Sequence, residues 1–145
     1  MKATIQSIGI INTPYTSTDE IPRQGVLEPA TEGQVVLNDA YREGLEGLSA
    51  FSHAVLIFYF HQANEGKLKG TPPWADKERG VFAIRSPHRP NRLGLSVVKI
   101  RKITREGFVF TGVDMLDGTP LIDIKPYVSM LDPLKEGGSD FQGNH

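Results

Sequence analysis

The sequence predicts a predominantly all-β fold, a small antiparallel β-barrel with one or two short helices. Three observations lead there: seven short stretches rich in β-branched and aromatic residues, 15 Gly and 10 Pro to punctuate them, and a single good helical pattern. In chain order, 4–11 and 34–37 read as strands. The helix is expected over 39–48, where Asn38 can cap, Asp39 suits the positive helix end, and Tyr41, Leu45 and Leu48 share a face. Gly44 and Gly47 weaken it. The run Ala54-Val55-Leu56-Ile57-Phe58-Tyr59-Phe60 has no helical period and fits a central strand covered on both faces. Further strands are expected at 81–84, 96–104, 108–115 and 121–124, with Glu106-Gly107 as a tight turn between two of them.

A chain of 145 residues with 39% hydrophobic residues can bury one ordinary core, and no repeat or linker interrupts it before residue 132. One domain, 1–131, is therefore expected, followed by a polar, Gly-rich tail, 132–145, that has little to bury. The absence of cysteine excludes disulfides, thiolate nucleophiles and Cys-type zinc sites. No apolar run approaches the ~20 residues of a membrane span, and the start lacks a signal-peptide core, so a cytoplasmic location is expected. His53, His61, His88 and His145 show no ligand spacing, so no metal is expected, and no phosphate-binding Gly-rich loop opens a helix.

The net charge of −1 conceals an asymmetry: residues 79–105 hold eight Lys/Arg and no acid, leaving eight cations against 17 acids elsewhere. Such a segment suits an anionic partner, unless acids from elsewhere in the fold neutralise it. Its densest part is Arg85-Ser86-Pro87-His88-Arg89-Pro90-Asn91-Arg92. Two prolines stiffen this loop, and a guanidinium can hold a carboxylate or phosphate through paired hydrogen bonds or, equally, satisfy loop carbonyls. A second constellation is Asp117-Gly118-Thr119-Pro120-Leu121-Ile122-Asp123-Ile124-Lys125-Pro126-Tyr127. Asp-Gly is an ordinary turn. Alternation puts Asp123, Lys125 and Tyr127 on the face opposite Ile122 and Ile124, either as a site or as a solvated strand face. His61-Gln62 emerges from the end of the apolar strand, and Pro22-Arg23-Gln24 forms a stiffened basic loop.

Taken together, the stretch 82–96, the stretch 117–127, Pro22-Arg23-Gln24 and His61 closely resemble the TsaA/TrmO-type family over about residues 5–131. The resemblance implies a methyltransferase dependent on S-adenosylmethionine, built on a β-barrel and working as a homodimer with the cofactor near the subunit interface. The implied substrate is N6 of a threonylcarbamoyl-modified adenosine next to the anticodon of a tRNA. The implied cofactor contacts are Pro22, Arg23, Gln24, His61, Gln62, Arg89, Leu95, Asp123, Ile124 and Lys125. Asp117, Asp123 and His61 are the candidate bases, with Tyr127 orienting the base or stacking on the cofactor. Longer bacterial members carry a further C-terminal domain, so a chain ending shortly after Tyr127 is expected to lack any tRNA grip that domain adds. Arg92 and Leu93 stand where relatives often have Pro-Ile, which adds a cation.

Two other classes compete. A non-catalytic barrel could bind RNA along 79–105, with Phe82, Phe108 and Phe110 stacking on bases, although all three are expected in the core. Alternatively, the methyl acceptor is another RNA base or a small molecule.

Overall fold

The structure is a computed structural model that describes residues 1–21, 30–64 and 66–129. Pro22, Arg23, Gln24 and the tail 132–145 lie outside the described residues. Six of its strands, β1 (Gly9–Asn12), β2 (Glu32–Leu37), β3 (His53–Tyr59), β6 (Leu93–Ile103), β7 (Gly107–Thr111) and β8 (Thr119–Pro126), close into an antiparallel barrel. Their order is β1-β2-β7-β6-β3-β8, with β8 pairing back onto β1. Two short strands, β4 (Lys69–Gly70) and β5 (Arg79–Gly80), form a separate hairpin. Closure leaves no long unpaired edge, so the barrel needs no covering layer.

The interior is filled by inward residues of every barrel strand, including Ile11, Val35, Leu56, Phe58, Val98, Phe108, Phe110 and Leu121. Phe108 and Phe110 are fully buried, as expected, and their rings meet edge to face with centroids 6.1 Å apart. Gly94 is required by this packing: a Cβ there would fall 2.5 Å from the Phe58 ring and 2.7 Å from the Phe60 ring. No helix of the described residues is long and apolar enough to cross a membrane.

Four expectations are corrected. The helical pattern over 39–48 folds as two 3₁₀ segments, Asp39–Leu45 and Leu48–Ala50, without a side-chain cap from Asn38. Gly47 adopts φ 87° between them, and only Leu45 and Leu48 reach the core, too little burial to hold a full α-helix. The stretch 81–84 is not a strand: Val81–Ala83 is a 3₁₀ turn with Val81 buried and Phe82 83% exposed, so Phe82 leaves the expected core. The run 54–60 is not covered on both faces, because Ala54, Leu56 and Phe58 are buried while Val55, Ile57 and Tyr59 are only half-buried. The first strand begins at Gly9, and residues 1–7 are exposed.

Candidate active site

The antiparallel order brings the end of β3 and the starts of β6 and β8 to one mouth of the barrel, where the loops 61–64 and 85–92 meet. Phe60 N–H donates to Arg92 O at 2.9 Å, and the chain then turns outward through His61 and Gln62. His61 is half-buried, and its Nδ1 is buried with no hydrogen-bond partner among the described residues. An orphaned ring nitrogen costs folding free energy unless a ligand supplies the missing partner, so its place at this mouth is informative. Gln62 is exposed.

The loop after β3 and the loop 85–92 are knitted together. The Arg92 guanidinium donates to Ala63 O at 2.9 Å and lies over the Tyr59 ring at 5.0 Å. Asn64 N–H donates to His88 Nδ1 at 3.2 Å. Gly66 packs so closely that a Cβ would stand 2.3 Å from Arg89 C and 2.4 Å from Pro90 N. Arg92 holds φ 48°, a left-handed conformation disfavoured for a residue with a Cβ, and these contacts fix it there. Arg89 spends one arm of its fork internally: Nη1 donates to Ile84 O at 2.9 Å and to Ser86 O at 3.3 Å. Its Nε and Nη2 keep further donors for an anion.

The second half of the site is the outer face of β6, β3 and β8. Register pairs Leu95 with Ile57 and Ile57 with Asp123; the next row is Val97, Val55 and Lys125. Directly paired residues share a face, so two apolar rows end in an acid and a base. Leu93, Leu95 and Val97 are 37%, 53% and 41% exposed. Lys125 Nζ lies 3.2 Å from Asp123 Oδ2, and Asp123 Oδ1 accepts the Ile124 N–H at 2.9 Å. Both side chains are substantially exposed, so the pair contributes little to stability and remains available to a charged ligand. A register shift beside Ile57 and Phe58 makes room for Ile122 and lets Leu121 and Ile124 both turn inward. Ile124 therefore packs against the core and has only its backbone to offer.

Two other predicted residues do not join this group. Asp117 is at the same mouth, but its Oδ1 accepts the Thr13 N–H at 2.9 Å and so secures the turn into β8. Tyr127 lies toward the opposite end of the barrel, its N–H on His53 O at 3.1 Å and its ring 6.2 Å from that of His53. The structure thus gathers His61, Gln62 and Arg89 at one mouth, sets Leu95, Asp123 and Lys125 on the adjoining face, and separates Tyr127 from His61. Gly66, Asn64 and Ala63 were missed as supports of the loop; nothing in the sequence marks a glycine for close approach to another backbone. No group of three His, Asp or Glu residues among the described residues is placed to hold a metal.

Comparison with known proteins shows the family. The family model of the tRNA-methyltransferase O N-terminal domain matches residues 10–133. RcsF of Pseudomonas aeruginosa, a candidate S-adenosylmethionine-dependent methyltransferase, is 46% identical over 138 residues, covering 91% of this chain and 58% of its own length. The Escherichia coli K12 tRNA (adenine(37)-N6)-methyltransferase is 34% identical over 94% of this chain and 62% of its own. The crystal structure of TrmO from Pseudomonas aeruginosa superposes with a TM-score of 0.80 at 38% identity, over 95% of this chain and 60% of that one. The chain spans less than two thirds of each of these proteins. With a family model matching residues 10–133 and a solved relative superposing on the barrel, the chain belongs to the tRNA-methyltransferase O N-terminal domain family.

Proposed function

We propose that this chain transfers a methyl group from S-adenosylmethionine to N6 of an adenosine in the anticodon loop of a tRNA, and that the adenosine already carries a threonylcarbamoyl group. The observation that carries the reading is the buried, unpartnered Nδ1 of His61 beside an apolar face ending in Asp123 and Lys125. This donor set fits the cofactor. Asp123 would hold its ammonium, Lys125 and the free donors of Arg89 its carboxylate, and Leu95 and Ile57 would cover its apolar surface. The names of the RcsF and Escherichia coli relatives support the cofactor and the tRNA acceptor. The unit 1–131 is read as the barrel domain and 132–145 as its tail, with Pro22, Arg23 and Gln24 completing the cofactor contacts.

S-adenosylmethionine supplies a methyl group activated by a sulfonium. The chain's residues then have two tasks. The first is orientation: the loops 61–64 and 85–92 fix each other, and holding reacting atoms in line can supply up to roughly 7–11 kcal/mol. The second is proton removal. An adenosine N6 lone pair is delocalised into the ring, and a carbamoyl substituent makes its N–H more acidic, so a positioned base becomes effective. Asp117 accepts the Thr13 N–H and Asp123 would be taken up by the cofactor's ammonium, which leaves the His61 ring to take the N6 proton as the new N–C bond forms and the methyl–sulfonium bond breaks.

The test is to incubate the protein and labelled cofactor with matched tRNAs that carry or lack the threonylcarbamoyl group, then digest to nucleosides. Label is expected only on the modified adenosine. Equal labelling of both tRNAs removes the modified-base requirement, and no label despite measured cofactor binding moves the acceptor elsewhere.

A homodimer belongs to the same reading. Leu93, Leu95 and Val97 form an exposed apolar row on β6, across β3 from Asp123 and Lys125, and a second copy seated on it would cover the row and wall the open cofactor face. Light scattering is expected to give about twice 16.0 kDa. A monomer that binds the cofactor tightly contradicts the interface site.

A further inference from the structure

The β4–β5 hairpin carries a feature that the methyl-transfer site does not use. Phe82 is 83% exposed and Leu68 69% exposed. They lie on adjacent segments, since Val81 N–H donates to Leu68 O at 2.8 Å directly beyond the Lys69–Gly80 pair. The turn that carries Phe82 is fixed from below: Val81 is 2% exposed, and Ile84 N–H closes onto Val81 O at 3.3 Å. Phe82 makes no ring contact among the described residues. A rigid turn thus presents a bare aromatic ring to solvent at a cost in hydration that core packing does not recover.

The surroundings are cationic. Exposed Lys67 and Lys69 bracket Leu68, and exposed Arg85 follows Phe82 by three residues and opens the loop of the candidate site. None of these three cations makes an ion pair among the described residues, and no acid occurs in the sequence from 79 to 92. An aromatic face set among unpaired cations is the combination that binds single-stranded nucleic acid, because every base has a stackable face and every linkage a phosphate. Glu65, Asp76 and Glu78 occur nearby in the sequence, but Asp76 and Glu78 form no ion pair with these three cations among the described residues, and a protein partner or an oily ligand would account for the ring but not for the cations around it.

We propose that Phe82 is a stacking platform for an unpaired base of the RNA substrate, with Lys67, Lys69 and Arg85 holding the adjoining phosphates. The proposal rests on the reading that the methyl acceptor is an RNA, and it gives this chain a grip on that RNA outside the cofactor site.

The experiment uses a fluorescently labelled RNA stem–loop with unpaired adenines in its loop, followed by anisotropy at fixed salt. Phe82→Ala is expected to weaken binding about 5- to 150-fold, Phe82→Trp to retain it, and Phe82→Leu to behave like the alanine variant. Phe82 is exposed, so none of these changes threatens the fold. Making the loop adenines abasic should weaken the wild-type complex comparably and add nothing to Phe82→Ala. Arg85→Gln should lower the slope of log affinity against log salt by about one. Cofactor affinity measured by calorimetry should stay unchanged in Phe82→Ala. Wild-type RNA affinity in Phe82→Ala overturns the platform and leaves the RNA reading intact; no RNA binding by the wild-type protein overturns both. Loss of a dimer in Phe82→Ala, seen by light scattering, assigns the ring to contact between copies and also overturns the proposal.

Discussion

Replacing His61 by Ala is expected to leave the barrel folded and to lower the rate of methyl transfer by about 10²–10⁴-fold, the range for loss of a positioned base. Its side chain leaves the end of β3 at the mouth, and its buried Nδ1 has no partner among the described residues. Deleting it therefore removes an unsatisfied polar atom and breaks no side-chain hydrogen bond among the described residues, and thermal stability should hold or rise slightly. A base acts on kcat. If His61 instead held the cofactor, calorimetry would show weakened binding while saturating cofactor restored the rate. Single-turnover rates at saturating cofactor separate the two roles. A His61→Ala rate within about tenfold of wild type at saturation would remove His61 as the base, and attention would return to Asp117 and Asp123.

How much of this site was legible in the sequence varies with the physical origin of each feature. The strands β2, β3, β6, β7 and β8 were visible as short runs of β-branched and aromatic residues, and the structure sorts their faces, as in β6, where Gly94, Ser96 and Val98 face in and Leu93, Leu95 and Val97 face out. The stretch Val81-Phe82-Ala83-Ile84 was misleading because four apolar residues satisfy a strand and a helical turn equally well. Only the packing of Val81 settles the choice. Asp123 and Lys125 could be placed on one face from the sequence, but their neighbours Leu95 and Ile57 could not, because cross-strand register depends on closure of the barrel and on the shift beside Ile57. The acid-free stretch 79–105 was read as one basic stripe. In the fold it divides: Arg85, Arg89 and Arg92 stay at the mouth, whereas Lys99, Arg101 and Lys102 run along the far half of an 11-residue strand. At roughly 3.3 Å per residue the two groups are separated by some 20 Å or more, so charge that is contiguous in sequence serves two surfaces.

The 85–92 loop should depend on two supports that touch no reacting atom, and removing either should show up as lost cofactor affinity. Arg89→Ala deletes the donors to Ile84 O and Ser86 O together with any remaining donor aimed at the cofactor carboxylate. A charge-assisted contact is worth about 1.5–3 kcal/mol, so affinity should fall roughly 10- to 150-fold. Arg89→Lys should recover only a small part, because an ammonium cannot reproduce the fixed fork that meets two carbonyls while leaving donors over. Gly66→Ala reaches the same loop from behind. Its methyl would stand 2.3 Å from Arg89 C and 2.4 Å from Pro90 N, and backbone stiffened by proline cannot turn aside as a side chain would. Overpacking of this kind costs about 1–3 kcal/mol. Because the strain pushes the loop away from 61–64, it should appear partly as weaker cofactor binding and partly as a lower melting temperature. Calorimetry on Arg89→Ala, Gly66→Ala and the double variant makes the test: the double variant should lose less than the two single losses combined, since both changes release one loop. Full cofactor affinity in a folded Arg89→Ala variant would exclude this loop from the site, and strict additivity would mean that the two residues support different parts of it.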